Sequence, residues 1–483
     1  MLTPLIRRSP KNPQPRSNER GFTMALVALA MVALIAMAAL SIDIGSLYEF
    51  KAEAQRSADL AALTAVRVIS ISGITGDPAN VTSSWQPVCG GATSLASVAA
   101  NNIAAQNLIA GHAPSTVNVY YGTNAGVGTN TDCTAAGSAF GVNPVVKVYV
   151  QQATLPTFFS RIFSLIPGGT SANSGVSATA VAEAFNPSGS GSLSSGMVPV
   201  RPRCVKPWIV PNQDPGHPGP PPASFVDPTS GAITNPGTFS GNGGVIGETF
   251  NLTPDCEPGH PRRCHLIGGI PPQATTNNLQ YVPGEVSSAS IGIAANTAIS
   301  GCSNVHVTNY WDAVAGCDQT TFYACGSALA NKVDLAQDNP GPPRNDSANA
   351  AQCLINASGS SLGTGQDSLN PGGPPFQILA GANSALLATG LATGSQITSS
   401  PSIVSVPIYD SGPPPTALDP ALPTPVTIVG FLQVFINYAD NSAGPTSGNI
   451  NVTVMNVAGC SNNASASPVF GTSPVPVRLI TPP

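Results

Sequence analysis

From Phe22 to Ile42 the chain runs 21 residues without a charged side chain. Roughly 20 apolar residues in a helix, at 1.5 Å each, span the hydrocarbon core of a bilayer. The pattern then changes but the helical period does not. Between Ile42 and Ile71 there is no proline, and Gly45 is the sole glycine. Leu47, Phe50, Ala54, Ala58, Ala61, Ala62 and Ala65 recur at steps of three and four. Asp43, Glu49, Glu53, Arg56 and Asp59 fall largely between them. This predicts one helix from Phe22 to Ile71, about 75 Å long. Its first half is apolar all round, and its second half is amphipathic with a narrow face of small residues. Such a face admits the close approach of another helix or of a sheet.

Beyond a loop from Gly73 to Gly91, residues Ser94–Ala110 read as a second helix. Val117–Tyr121, Val145–Val150 and Val176–Phe185 read as strands, and Leu155–Ile166 is an apolar, aromatic segment. Residues 186–199 are rich in Gly and Ser and read as a linker. After it, residues 200–385 carry many Pro and Cys and few long apolar runs. Strand character returns at Ile403–Ile408, Val426–Ile436, Asn449–Met455 and Val475–Ile480. The expected fold class is α+β, a long N-terminal helix with a small α+β module and then a disulfide-rich, mostly β region. The expected divisions are a tail at 1–19, the anchor and its helical extension at 20–72, the rest of the module at 73–185, the linker at 186–199 and the β region at 200–483.

Charge and cysteine content place this architecture. Of the 18 Lys and Arg, five precede Phe22, against one of the 23 acids. By the positive-inside rule that end stays in the cytoplasm and the remainder is exported. A cleaved signal peptide is the competing reading, with Ala36 and Ala38 as an A-x-A-like site, but its apolar core is normally about 7–15 residues. Charged residues make up 8% of the chain, and no basic patch suggests nucleic-acid binding. All ten Cys lie beyond the apolar run, an even number that fits disulfides in an oxidising compartment. Cys89–Cys133, Cys256–Cys264 and Cys302–Cys317 are near neighbours in sequence and candidate pairs.

Arg20-Gly21, the apolar run, Asp43-Ile44-Gly45, Leu47-Tyr48, Lys51, Gln55 and Ala58-Asp59-Leu60-Ala61-Ala62-Leu63 stand in an ordered set. That set resembles the N-terminal module of TadE/TadG-like proteins, pilin-like components of the tight-adherence (Flp) pilus machinery. The VKVYV and VSATAVAEA segments resemble the continuation of that module, so the resemblance covers roughly residues 20–185. It implies a pilin-like α+β module and a single-pass inner-membrane protein with its bulk periplasmic or extracellular. It also implies pilus-assembly or envelope proteins as partners, and self-association through the N-terminal helix. Arg20, Gly21, Asp43, Gly45, Tyr48, Gln55, Ala58, Asp59, Ala61 and Ala62 are the motif and helix-packing positions. Two departures matter. Processed prepilins of this type carry Glu five residues after the glycine, where this chain has Leu26, so the resemblance implies a retained anchor. The D-x-S-x-S metal motif of the adhesive domain that ends some TadG-like proteins is not found.

Chemistry is sparse. Cys256, His260, Cys264 and His265 are ligand types that zinc accepts, but the spacing matches no standard finger and a disulfide loop is the simpler reading. Asp43, at the edge of the apolar run, is either a solvated helix residue or a packing contact with a basic partner. Phe158, Phe159, Ile162, Phe163 and Ile166 keep helical spacing and serve either as core or as a docking face. No nucleophile elbow, H-E-x-x-H, phosphate loop or dinucleotide fingerprint occurs. The five histidines (112, 217, 260, 265 and 306) are scattered, and no acid pair stands out. The expectation is therefore a structural protein without cofactor, metal or catalytic residues, acting by helix packing with the Ala54–Ala65 face as partner surface. The other class is an exported hydrolase or carbohydrate-binding protein with its activity in 200–483.

Overall fold

The computed structural model describes residues 20–73, 85–123, 126–137, 139–156, 175–188, 200–239, 243–254, 256–257, 260–264, 273–286, 302, 308–318, 323–327, 331–338, 346–359, 361–370, 376–412, 418–419, 422–442, 446, 448–460 and 469–481. The Phe158–Ile166 cluster and His265 lie outside them. Helix α1 runs unbroken through Arg20–Ile71. It ends where Gly73 adopts φ +80°, a left-handed conformation that glycine tolerates best. A Cβ there would also sit 2.6 Å from Ile246 Cγ2, so both backbone and space call for glycine.

The second half of α1 packs on a four-stranded antiparallel sheet. Its strands are β1 (Thr116–Gly122), β2 (Val145–Gln152) and β3 (Val176–Ala184), in that order. Helix α2 (Leu95–Gln106) lies against α1 as well, with Ala96, Ala100 and Ala104 fully buried. The fourth strand comes from the far end of the chain: Val477–Ile480 pairs with β3, with Val477 opposite Ala184. The Arg478 guanidinium clamps it, 2.6 Å from Glu183 and stacked over Phe185.

The region between is built on a closed barrel. Its strands are β4 (Trp208–Pro211), β5 (Thr249–Pro254), β6 (Asn278–Pro283), β7 (Ile403–Tyr409), β8 (Ile428–Ala439) and β9 (Ile450–Gly459), which leaves Val477–Ile480 as β10. Going round, β4 lies parallel to β7, which is followed by β8, β9 and β5 in antiparallel succession. Strand β6 runs parallel to β5 and closes the ring on β4, with Val282 opposite Ile209. Closure removes the open edges on which other chains can add. Side chains alternate: Trp208, Val210 and Tyr281 enter one cluster, Ile209 and Val282 another. Gly459 is required by close approach, since a Cβ would stand 1.9 Å from the Gly231 carbonyl oxygen.

Two short helices, α3 (Asn309–Ala315) and α4 (Asp346–Leu354), are fastened to the barrel by buried polar groups. Ser347 accepts from Trp208 Nε1 at 3.2 Å and donates to Asp338 at 3.0 Å, which also accepts from Tyr281 at 3.1 Å. The buried Lys206 ammonium donates to the Val314 carbonyl at 2.8 Å and meets the carbonyl end of α3.

Four disulfides join described residues: Cys89–Cys133, Cys204–Cys317, Cys302–Cys353 and Cys325–Cys460. The expected Cys302–Cys317 pairing is thereby corrected. Sequence proximity misled because Cys302 is drawn to α4 and Cys317 to the segment before β4, each by the fold of distant chain. Cys256 stands opposite Cys264 in a two-stranded ribbon.

Candidate functional site

The candidate site is α1 itself, whose two halves have opposite surroundings. From Thr23 to Ala38 every residue is exposed, including Met24 at 79% and Leu29 at 72%. The most apolar 18-residue window has mean hydropathy 2.7 and no buried residue. Exposing so much contiguous apolar surface to water is unfavourable by about 25 cal/mol per Å². Among the described residues this is the one helix long and apolar enough to cross a membrane.

One turn changes the environment. Ala39 and Asp43 are buried, at 8% and 6% exposure, on a helix whose neighbouring positions face outward. Asp43 is engaged rather than free. Gly45 has open space about its Cα, and Tyr48 is 75% exposed. Arg20 and Gly21 form the first turn of α1. Leu47 and Phe50 are the first side chains to join the core of the folded module. Leu47 lies five positions after Ile42, so that module begins about 8 Å beyond the apolar run.

From there the contacts are regular. Lys51 donates to the Ser177 carbonyl, and Gln55 donates to the Thr179 carbonyl at 3.3 Å. Four helical residues advance about 6 Å and two strand residues about 6.6 Å, so α1 runs along β3 in step with it. Gln55 also holds Asp59 at 2.8 Å, and Glu53 accepts from the Ala110 amide at 2.7 Å. Ala54, Ala58, Ala61, Ala62 and Ala65 have no exposed surface. They pack with Ala178, Ala180, Ala182 and Ala184 of β3 and with the alanines of α2. The reading of Ala54–Ala65 as a surface for another protein is therefore corrected, because the chain's own sheet and second helix occupy it.

A cleft of about 850 Å³ opens between this module and residues 386–399. Val68, Val98, Ile103 and Leu391 line it beside Asn102 and Gln396, and no charged or histidine side chain does. It offers no acid or base.

Sequence reading missed one cluster. Asp214 follows β4 and Glu248 precedes β5, far apart in the chain, yet both meet Gly216: its amide donates to Asp214 at 2.9 Å, and the Glu248 carboxyl lies against its Cα. His217 Nδ1 lies 2.8 Å from Asp214 Oδ2. Burial first, and then the Asp214 charge, push Glu248 up to about 9. No local signal marks the pair, because the barrel brings them together.

Among the described residues no group of His, Cys, Asp and Glu has the arrangement to hold a metal. His260 sits in the Cys256–Cys264 ribbon.

No curated protein and no solved structure matches the chain. A family match covers residues 21–68, the apolar run, the Asp43 turn and most of the alanine-faced half, and it does not extend to β1, β2 and β3. That match is to the family described as putative Flp pilus-assembly TadE/G-like, and it falls on the residues that carry the Arg20–Leu63 motif and fold into the two-faced helix.

Proposed function

We propose that the protein is a membrane-anchored structural component of Tad/Flp-type pilus assembly or surface attachment. The Phe22–Ile42 stretch of α1 is a retained single-pass anchor. The basic segment before it lies in the cytoplasm, and the module and barrel lie outside the inner membrane. The observation that supports this most directly is the uninterrupted exposure of Thr23–Ala38 on a helix that continues, without a break, into a packed module. Four disulfides support the exported location of the body. Contacts with envelope partners, and with a second copy, are assigned to the apolar half of α1, since the alanine half is filled. The family is a pilus-assembly family rather than an enzyme family.

A hydrolase reading of the β region gains nothing from Asp214 and Glu248. They are 0% and 2% exposed, out of reach of a substrate. The paired carboxyls of glycosidases flank the substrate about 5–9 Å apart.

The test is N-terminal sequencing of the mature protein from its native host, combined with membrane fractionation and protease protection in spheroplasts. The expected result is an N-terminus upstream of Phe22 in the inner-membrane fraction, with the body digested only from outside. A soluble product starting near Ala39 would overturn the anchor.

A further inference from the structure

One face of the barrel carries a row of side-chain amides that the fold places in register. Strand alternation turns Phe250, Leu252, Leu279, Ile450 and Val452 into the core. It turns Asn251, Asn278 and Asn451 to the opposite face, where all three are half-buried. Asn251 stands opposite Asn278 of β6 on one side and Asn451 of β9 on the other. Asn437 of β8 completes the row at a break in the β8–β9 register. The bonds all run one way. Asn437 Nδ2 donates to Asn451 Oδ1 at 2.9 Å, and Asn451 Nδ2 donates to Asn251 Oδ1 at 2.9 Å. Asn251 Nδ2 donates to Asn278 Oδ1 at 3.2 Å, and Asn278 Nδ2 to the Thr276 carbonyl at 3.2 Å. Thr453 Oγ1 joins the row, accepting from Asn437 at 2.9 Å and lying 3.0 Å from Thr249 Oγ1.

We propose that this row is a binding surface for a neutral polysaccharide chain. Each amide carries two N–H donors and an oxygen with two lone pairs. Among the described residues, Asn251, Asn278 and Asn451 each use one N–H, and each of their oxygens accepts one bond. One donor and one acceptor on each of these strands therefore remain for a ligand. A sugar hydroxyl both donates and accepts, so a hydroxyl-rich chain laid across the strands meets that alternation. Strands about 4.8 Å apart set the step, and four of them span about 14 Å, room for several linked rings rather than one. Bonds along the row polarise one another in a common direction. They also fix the amides before a ligand arrives, which lowers the entropic cost of binding.

The surroundings select against other ligands. Thr253 and Gln280, one step along the strands, and the exposed Thr249, Thr275, Thr276 and Asn277 are uncharged. Lack of charge is ordinary in a chain with 8% charged residues and by itself marks nothing. The mutual bonding of the amides is what sets this face apart from a merely solvated one. A phosphate- or carboxylate-bearing chain finds no Lys or Arg among these residues. A protein partner needs an apolar centre, which these side chains do not supply, and the closed barrel leaves no edge here for a strand to join. The assignment concerns the barrel alone and does not depend on the role given to α1.

The experiment is affinity gel electrophoresis of the full chain in a polyoxyethylene detergent. Amylose, hydroxyethylcellulose, galactomannan or dextran is cast in the gel, with polygalacturonate as the anionic comparison. The expected result is retardation by at least one neutral polymer and weaker retardation by polygalacturonate. Asn251→Leu, at the centre of the row, should raise the apparent Kd about tenfold while near-ultraviolet dichroism is kept. Should that variant fail to fold, Asn278→Ala, at the end of the row, should raise it about threefold. Retardation by none of the four neutral polymers overturns the proposal. So does tighter binding to polygalacturonate, or equal retardation of the wild type and the folded variant.

Discussion

The two regions of this molecule reach burial by opposite means. The first packs alanines: five on α1, three on α2 and four on β3 form one seam with no exposed bulk. Small side chains let helix and strand backbones approach closely, and each adds little transfer free energy. The barrel region packs large rings, among them Trp208, Trp311, Tyr281, Phe250 and Phe435, and ties its ends with three described disulfides. A seam of alanines depends on register along a single helix, and a barrel of short strands depends on chain closure. Each region should therefore fail in its own way.

The largest expected effect is on the barrel. Cys325–Cys460 spans 135 residues. Loop-closure entropy for a loop of that size is worth roughly 4–5 kcal/mol. Replacing both cysteines by Ser should lower the stability of the barrel region by about that amount, read from near-ultraviolet dichroism in denaturant. An unchanged transition would show that closure by β4 and β6 suffices without the staple.

Next comes the exposed half of α1. Leu29→Arg places a charge near the middle of the apolar stretch, at a cost of about 3 kcal/mol for insertion. The protein should shift toward the soluble or degraded fraction while the folded module keeps its dichroism. If membrane partition is unaffected, the apolar half is not an anchor.

Ala58→Leu sharpens the comparison from the other side. Overpacking a filled seam costs roughly 1–3 kcal/mol, and the loss should appear in the melting of the first module before that of the barrel. Smallest of all, Tyr48→Ala removes a side chain that is 75% exposed. Its effect on stability should stay within about 0.5 kcal/mol, so that any loss of pilus assembly reports a contact with a partner rather than misfolding.

A pH scan divides the regions again. Glu248 has its folded pKa raised, to about 9, above the ordinary carboxylate value of 4.5. Between those values the folded protein holds a proton that the unfolded chain has lost. Stability therefore falls as pH rises across that window, and Glu248→Gln should flatten the fall. The α1 module contains no such pair among its described residues, and its melting should vary less with pH.

Helix α1 was legible because its information is local. Alanine spacing and the absence of proline specify a period that survives any tertiary context, and the strand runs at 117–121, 145–150 and 176–185 carry their own β-branched signal. Trp208–Pro211, Thr249–Pro254 and Asn278–Pro283 carry no such signal. Each is short, ends in proline and lies among turn residues, and each becomes a strand because the barrel supplies its partners. The same reason hides the pairing of Cys302 with Cys353 and the meeting of Asp214 with Glu248.

By itself the sequence determined the anchor-length apolar helix, its amphipathic extension, the family of its 48 matched residues and the even set of cysteines in the chain beyond it. Helical periodicity and charge asymmetry are properties of contiguous residues, so no folding was needed to see them. Only the tertiary structure decided that the alanine face is spent within the chain, that residues 477–480 complete the first sheet, that six scattered strands close a barrel and which cysteines join. Each of these depends on segments more than 40 residues apart, and their meeting is set by the summed burial and hydrogen bonding of the whole fold rather than by any stretch within it.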